Sequence, residues 1–219
     1  MPSSKDVVGQ IHKLTEMLIG LSLCNQQNYP SISSSKGRLE EIGIENHLSM
    51  SIALKNIPYN EIYAELCRTK AYNLMMLDGA LLQMMYRFNN NNIESHRLAF
   101  FPSPSLEKFQ NNPDIYLKDE IYADINARNI VPFPLRFDFN AQFIDAQHPK
   151  SHLTLGQYAN CRIPVSSPLS PYHFIGFILM NFYNTAFHKY SEKILRTKHS
   201  VFTETITGEE RKLMYLQIP

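Results

Sequence analysis

The Asp78-Gly79 pair constrains the fold of this chain more than any other local feature. It lies between two apolar runs, residues 73–77 and 80–88. Asp-Gly readily adopts the positive φ angles of a type I′ hairpin turn, which matches the right-handed twist of paired strands. A two-residue turn predicts two cross-strand pairs, Leu77 with Ala80 and Met75 with Leu82. The chain must therefore contain an antiparallel sheet, with these two strands at its centre because they are apolar on both faces.

Other segments predict further strands of the same sheet. Ser95–Phe101 follows a turn at Asn89–Asn92, which makes a three-stranded meander. Two later segments alternate with period two, Leu135–Asn140 and Ser151–Leu155. The weakly alternating residues 48–55 predict an edge strand. Residues 213–218 are compatible with a last strand, but their pattern does not decide between a strand and a coil.

Helical periodicity surrounds these strands. Val7, Ile11, Leu14, Leu18 and Leu21 form one stripe, so an amphipathic helix is predicted over residues 4–24 with Ser3 or Ser4 as its cap. The polar stretch that follows, residues 25–37, is predicted to be a loop or a hinge. Further helices are predicted over residues 58–68, 114–127, 171–187 and 188–199. The expected fold class is α+β, a mostly antiparallel sheet made of a meander plus a hairpin and flanked by helices.

The size and composition fit a single domain over residues 1–219. Within it we expect an N-terminal helix and linker (1–30) as an appendage, a core sheet with a buried helix (48–187), and a C-terminal helix and tail (188–219). Apolar residues make up 44% of the chain, which is enough for a sizeable core. The net charge of +1 is small, so contact with nucleic acid requires a local basic patch.

The cysteines and the hydropathy pattern predict a cytoplasmic protein. Cys24, Cys67 and Cys161 are odd in number and widely spaced, without the spacing of a zinc site. We expect them to be buried, reduced thiols. No secretory signal is visible, and the densest apolar run, residues 174–180, is shorter than the roughly 20 residues that cross a bilayer. No membrane association is expected.

The polar residues of two predicted strands are expected to share one face of the sheet. Arg136, Asp138 and Asn140 alternate with apolar residues on the first strand, as His152 and Thr154 do on the second. If the two strands pair, their apolar sides face the same core. The charged, amide and imidazole groups then lie together on the other side.

This constellation suits phosphodiester chemistry. Arginine matches phosphate oxygens bidentately, and histidine transfers protons near neutral pH. The candidate catalytic residues are Asp138, His148 and His152, and the candidate substrate-binding residues are Arg87, Arg97, Arg136, Asn140 and Arg162. Two histidines acting as acid and base need no metal, but the three catalytic candidates would also be able to hold one divalent ion. A purely structural Arg-x-Asp ion pair is the competing interpretation.

Several motifs in order resemble those of a bacterial family, the domain of unknown function 2290. They are Arg97–Pro104, Leu135–Asp138, Ser151–Gly156, Arg162–Val165 and Pro168–Pro171, and the resemblance runs from about Ile62 to Tyr183. The resemblance implies no particular activity.

A more distant resemblance is to small toxins of prokaryotic toxin–antitoxin pairs. Those toxins carry an Arg-x-Asp-Asn motif followed by a histidine cluster. Here Asp138 is followed by Phe139 before Asn140, and the cluster consists of His148 and His152. The resemblance implies a role in genetic conflict, as a toxin or in anti-phage defence.

Two functional hypotheses follow. In the first, the protein is a cytoplasmic effector that acts on nucleic acid, RNA rather than DNA, as a phosphodiesterase. In the second, it is a non-enzymatic subunit that docks on a larger protein or nucleoprotein through the N-terminal helix or the basic helix 188–199. A small-nucleotide sensor would use the same arginines as the first. No P-loop, GxGxxG or HExxH motif occurs, which disfavours a nucleoside triphosphatase, a dinucleotide oxidoreductase and a zinc protease.

Overall fold

The computed structural model describes residues 1–35, 38–44, 57–105, 132–143, 148–158, 160–195 and 198–219. In these residues a nine-stranded, mostly antiparallel sheet is flanked by helices, so the expected α+β class is confirmed. Seven strands follow one another along the main path of this sheet, and two more branch from it. Within the described ranges, no helix combines the length and the apolar character that crossing a bilayer requires.

The N-terminal helix α1 (Ser4–Gly20) confirms the predicted helix and ends four residues early, because Cys24 already begins a strand. Ser3 caps it: the Ser3 hydroxyl accepts from Asp6 N, and the Asp6 carboxylate accepts from Ser3 N at 2.8 Å. Val7, Ile11, Leu14 and Leu18 of its apolar stripe are fully buried in the same core as the sheet, and Leu21, just after the helix, is partly buried there. The division of the chain into an appendage, a core and a tail stays a prediction.

The predicted loop over residues 25–37 was wrong. It contains strands β1 (Cys24–Gln27) and β2 (Ser31–Ser35), followed by β3 (Leu39–Gly43). β2 pairs with β3, while β1 and β3 each pair with a strand of the central meander described below. The side chains of β1 and β2 are mostly exposed, which is why their sequences look loop-like. The predicted edge strand 48–55 and helix 114–127 lie outside the described residues.

Helix α2 (Tyr59–Thr69) confirms the predicted short helix. Pro58 immediately precedes it, and Lys70 ends it in the left-handed region with φ 53°. Ile62 and Leu66 are fully buried on its inner side. They pack on one face of the sheet, which fixes α2 beside the site described below.

The central meander consists of β4 (Leu74–Met76), β5 (Leu81–Asn89) and β6 (Asn92–Phe101). Strand β6 starts three residues earlier than predicted. Asn90 and Asn91 both have positive φ, as a type I′ turn requires.

The Asp-Gly turn forms a hairpin, but the predicted pairing of Leu77 with Ala80 and Met75 with Leu82 was wrong. Met75 lies opposite Leu81, so the register is shifted by one residue. Gly79 N donates to Met76 O at 3.0 Å and has φ 82°, which makes a three-residue loop with glycine in the left-handed position. The Asp78 carboxylate accepts from Ala80 N at 3.0 Å, so Asp78 is a turn former.

The two later strands are confirmed with their predicted bounds. They are β7 (Leu135–Asn140) and β8 (Ser151–Leu155), and they pair antiparallel. A two-residue strand, β9 (Ile163–Pro164), adds to β8 within the predicted proline-rich crossing.

The C-terminal helices divide at Tyr183 instead of the predicted residue 187. Helix α3 (Pro171–Phe182) begins after Ser170, whose hydroxyl accepts from His173 N at 3.2 Å, and α4 spans Asn184–Leu195. Tyr183 breaks the helix with φ −133° because its side chain is buried and its hydroxyl donates to Asp78 Oδ1 at 2.8 Å. Residues 213–218, considered above as a last strand, form a single parallel bridge between Leu216 and Val165.

The predicted burial of the three cysteines was wrong. Cys24, Cys67 and Cys161 form no disulfide, and each is only half-buried. Cys24 lies at the start of β1, Cys67 on α2, and Cys161 beside the cavity described below.

The two faces of the sheet are covered differently. Alternate residues of β6 and β7, including Leu98, Phe100 and Phe137, pack in the large core that also contains side chains of α1 and α3. On the opposite face, Ala99 and Phe101 pack against α2. Beyond that contact, the second face carries polar side chains, and the candidate site is built there.

Candidate functional site

Three adjacent strands place the key polar residues in one row across the sheet. Arg97 of β6 lies opposite Asp138 of β7, and Asp138 lies opposite His152 of β8. In the next row along the same face, Arg136 lies opposite Thr154. Because side chains alternate along a strand, residues in these rows point to the same side of the sheet. The predicted common polar face is therefore present.

A cavity of about 870 Å³ opens on this face. Four arginines and two carboxylates line it, an excess of two positive charges. Its volume lies in the range of small-molecule sites, which run from about 300 to 1,000 Å³. All eight residues selected from the sequence line it: Arg87, Arg97, Arg136, Asp138, Asn140, His148, His152 and Arg162.

Asp138 joins two arginines at the base of the cavity. Arg97 Nε donates to Asp138 Oδ1 at 2.9 Å, and Arg136 Nε lies 3.6 Å from Asp138 Oδ2. Burial alone would raise the pKa of the Asp138 carboxyl, but the charges of Arg97 and Arg136 together lower it below its ordinary value. Asp138 is therefore an ionised anchor for two guanidinium groups. In the sequence analysis, by contrast, it was a candidate catalytic group.

The Arg136 guanidinium lines the cavity, and its Nε–H makes no hydrogen bond to Asp138. Its Nε is buried and has no hydrogen-bond acceptor among the residues that the structure describes, since the Asp138 oxygen is too distant. Burial lowers the pKa of Arg136, and the charge of Asp138 opposes that shift. The guanidinium lines the cavity and shares one carboxylate with Arg97, so its positive charge would stabilise an anion that enters the cavity.

His152 is fixed as a neutral imidazole. Its side chain is 4% exposed, and Nδ1 lies 3.0 Å from Pro149 O. Because a carbonyl oxygen only accepts, Nδ1 carries the proton and Nε2 keeps a lone pair. Burial lowers the pKa of His152, although the Pro149 carbonyl and Asp138 oppose that effect. His152 can therefore accept a proton at neutral pH.

His148 lies beside His152 and also lines the cavity. The two ring centroids are 5.5 Å apart in an edge-on arrangement. The His148 ring also packs on Phe143, with 3.9 Å between centroids. At this separation the two imidazoles contact each other edge to face, so both rings can approach one small ligand group in the cavity.

The other three candidates lie at the margin of the site. Arg87 is half-exposed and pairs with Glu41 and, at 3.8 Å, with Glu94, so its charge is already balanced. The Asn140 side-chain oxygen accepts from Gln142 N at 2.9 Å and stabilises the turn after β7. Arg162 makes no ion pair with any described residue, and its charge contributes to the lowered pKa of His152.

Two aromatic residues beside the cavity were not predicted from the sequence. Phe133 is 46% exposed and Tyr158 is 76% exposed, and both line a smaller adjoining cavity of about 290 Å³. Phe133 lies between Pro132 and Pro134, just before β7, and Tyr158 follows Gly156 in the loop after β8. The available signal was their position: each is an aromatic residue in a loop at the end of a strand that carries site residues.

The arrangement is not that of a metal centre in the part of the chain that the structure describes. No three histidine, cysteine, aspartate or glutamate side chains lie together there as metal ligands would. The oxygens of Asp138 already face two arginines. What these residues can do chemically is bind an anion and transfer protons next to it.

Comparison with known proteins identifies one family. Its description is "uncharacterized conserved protein (DUF2290)", and it matches residues 23–218. The match includes all nine strands and every residue that lines the larger cavity. No curated protein and no solved structure matches the chain significantly.

Proposed function

We propose a function for this chain, which belongs to the DUF2290 family: it binds the phosphate backbone of nucleic acid, RNA rather than DNA, and cleaves a phosphodiester bond. The observation that carries the proposal is the placement of two arginines, anchored by one carboxylate, beside a pair of histidines in a single cavity. Each part matches one requirement of the reaction, namely charge neutralisation and proton transfer.

Arg97 and Arg136 would hold the phosphate. Asp138 keeps both guanidinium groups in place and is a positioning residue. The cavity retains excess positive charge after this pairing. A phosphodiester group supplies the balancing negative charge.

His152 and His148 would move the protons. The Nε2 lone pair of His152 accepts the proton of the ribose 2′-hydroxyl while that oxygen attacks phosphorus. The bond from phosphorus to the 5′ oxygen breaks, and His148 donates a proton to the leaving oxygen. The 2′-hydroxyl is the nucleophile in this scheme, so RNA is the substrate that the chemistry favours over DNA.

The biological setting that we propose is genetic conflict, as a toxin or in anti-phage defence. It rests on the distant resemblance to small toxins, which share the order of an Arg-x-Asp strand and a histidine pair. A cytoplasmic location fits the absence of zinc or disulfide spacing among the cysteines.

Docking on a larger partner is a second candidate. Four residues of the apolar stripe, Val7, Ile11, Leu14 and Leu18, are fully buried in the protein's own core, so this stripe is not available to a partner. An acidic partner would instead contact α4, where His188 and Lys189 are exposed. Co-purification with a partner through α4, without RNA cleavage, would favour this candidate.

RNA cleavage by matched variants tests the proposal. We expect the purified protein to cleave an RNA oligonucleotide in the presence of a chelator, and to leave a strand with 2′-deoxy nucleotides intact. His152→Ala is expected to reduce the rate by at least about 100-fold, the usual contribution of a general base. The control is His12→Ala, because His12 lies on α1 at the opposite face.

Melting curves establish that both variants are folded. Equal cleavage rates for His152→Ala and the wild type, or no cleavage of RNA by the wild type, would contradict the proposed reaction.

A further inference from the structure

The two exposed aromatic residues beside the site form an aromatic rim, which we define as Phe133 and Tyr158. The small cavity that they line shares Pro134, Gly156 and Tyr158 with the large one. The rim is therefore continuous with the arginine-lined cavity. Large aromatic side chains this exposed, at the mouth of a charged cavity, mark a recognition surface.

The rim is held rigidly by its own backbone. Gly156 N donates to Pro134 O at 2.7 Å, which ties the loop after β8 to the segment before β7. The Gln157 amide donates to Ile57 O at 2.9 Å and fixes the same loop to the residues before α2.

Gly156 also sets the position of the Tyr158 ring. It has φ 63°, a conformation that glycine adopts freely. A Cβ at this position would lie 3.4 Å from the Tyr158 ring, so the ring lies beside Gly156, and most of its surface is exposed.

We propose that the aromatic rim stacks an unpaired nucleobase next to the phosphate held by Arg97 and Arg136, so that the substrate is single-stranded. This inference rests on the proposed function and specifies its substrate. Bases of a duplex are stacked and paired inside the helix, and only an unpaired base offers a free face to a protein ring. A positively charged groove with aromatic platforms is the usual arrangement of single-strand binding sites.

The position of the rim favours the nucleotide next to the bound phosphate. The two cavities share lining residues, so a base on the rim belongs to a nucleotide adjoining the one in the arginine-lined cavity. Stacking on a ring accepts any base, because each has a π face. We therefore expect weak dependence on base identity and strong dependence on strandedness.

Binding measurements with uncleavable strands test the inference. The probes are a 2′-O-methyl single strand, its duplex, and the same strand with abasic positions, followed by fluorescence anisotropy. We expect Tyr158→Ala and Phe133→Ala to bind the single strand about tenfold more weakly, the usual effect of losing one stacked base. Tyr158→Trp should retain binding. Tyr29→Ala, on an exposed tyrosine that contacts α1, should leave it unchanged.

The abasic strand separates the inference from the proposal on which it rests. It should bind the wild type and Tyr158→Ala equally, since it has no base to stack. If Tyr158→Ala and Phe133→Ala bind the full strand as tightly as the wild type, while Arg136→Gln binds poorly, the aromatic rim is refuted and the phosphate site stands. If Arg136→Gln binds as the wild type does, or the wild type binds neither strand, the proposed function fails and the rim fails with it.

Discussion

At the scale of single residues, Asp138 decides the character of the site. Its carboxylate faces Arg97 at 2.9 Å and Arg136 at 3.6 Å, and all three side chains are largely buried. Desolvation makes such a group costly unless its partners remain in place. The carboxylate therefore keeps two positive charges together that would otherwise repel each other.

Replacing Asp138 tests this role. We expect Asp138→Asn to lower the free energy of unfolding by about 2–4 kcal/mol, because two neighbouring guanidinium groups lose their counter-charge. Glu209→Gln removes the acidic partner of the exposed Lys212 pair and should leave stability unchanged. Urea denaturation of both variants measures the difference, and equal stabilities would show that Asp138 does not anchor the arginines.

The sequence predicted which residues share the site, but not how they pair. Alternation along β7 and β8 placed Asp138 and His152 on one face. It did not reveal that Arg97, 41 residues earlier, would take the Asp138 oxygen, because such a contact depends on β6 lying beside β7. The aromatic rim was missed for a related reason, since exposure of a loop side chain depends on the fold around it.

At the scale of elements, local signals predicted what local interactions decide. The cap at Ser3 and the apolar stripe of α1 act within one helix, and both were confirmed. The polar strands β1 and β2 were missed because they are stabilised by backbone hydrogen bonds to β4 and β3. Those bonds depend on residues far along the chain, so the side chains of β1 and β2 do not indicate them. The hairpin register was wrong by one residue because Asp-Gly suits both a two-residue and a three-residue loop.

Two glycines in different backbone conformations, Gly79 in the hairpin loop and Gly9 in α1, test whether the loop needs a left-handed residue. Gly79 has φ 82°, so Gly79→Ala should lower the free energy of unfolding by about 1–2 kcal/mol. Gly9 is exposed within α1, and a Cβ there meets nothing within 4 Å. Gly9→Ala should therefore raise stability by about 0.5–1 kcal/mol. Opposite signs in urea denaturation are expected, and a stabilising Gly79→Ala would refute the left-handed turn.

At the scale of the whole molecule, the sheet separates packing from chemistry. One face is covered by α1 and α3, and the other is shared between α2 and the arginine-lined cavity. His96 lies on the packed face, where its Nε2 accepts from Leu169 N at 3.0 Å. Burial lowers the pKa of His96 to about 4, so the folded protein holds this imidazole neutral.

Acid should therefore destabilise the fold through His96. The unfolded chain binds the proton near its ordinary pKa of 6.5 and the folded chain only near 4, so the unfolded state binds more protons between these values. The contribution of neutral His96 to the free energy of unfolding is fully present above pH 6.5. It falls by on the order of 3 kcal/mol as the pH drops to 4. His96→Gln should show a shallower fall, whereas the exposed His188→Gln should match the wild type. An unchanged slope in His96→Gln would refute this role.

The affinity of Arg136→Gln for a single RNA strand decides whether the cavity is a phosphate site. The matched control is Arg211→Gln, an arginine of an exposed ion pair with Glu204 that does not line the cavity. We predict that Arg136→Gln binds at least about tenfold more weakly with a shallower salt dependence, because one phosphate contact is lost, while Arg211→Gln binds as the wild type does. Equal affinities and salt slopes for all three proteins would contradict the phosphate site and every functional conclusion drawn from it.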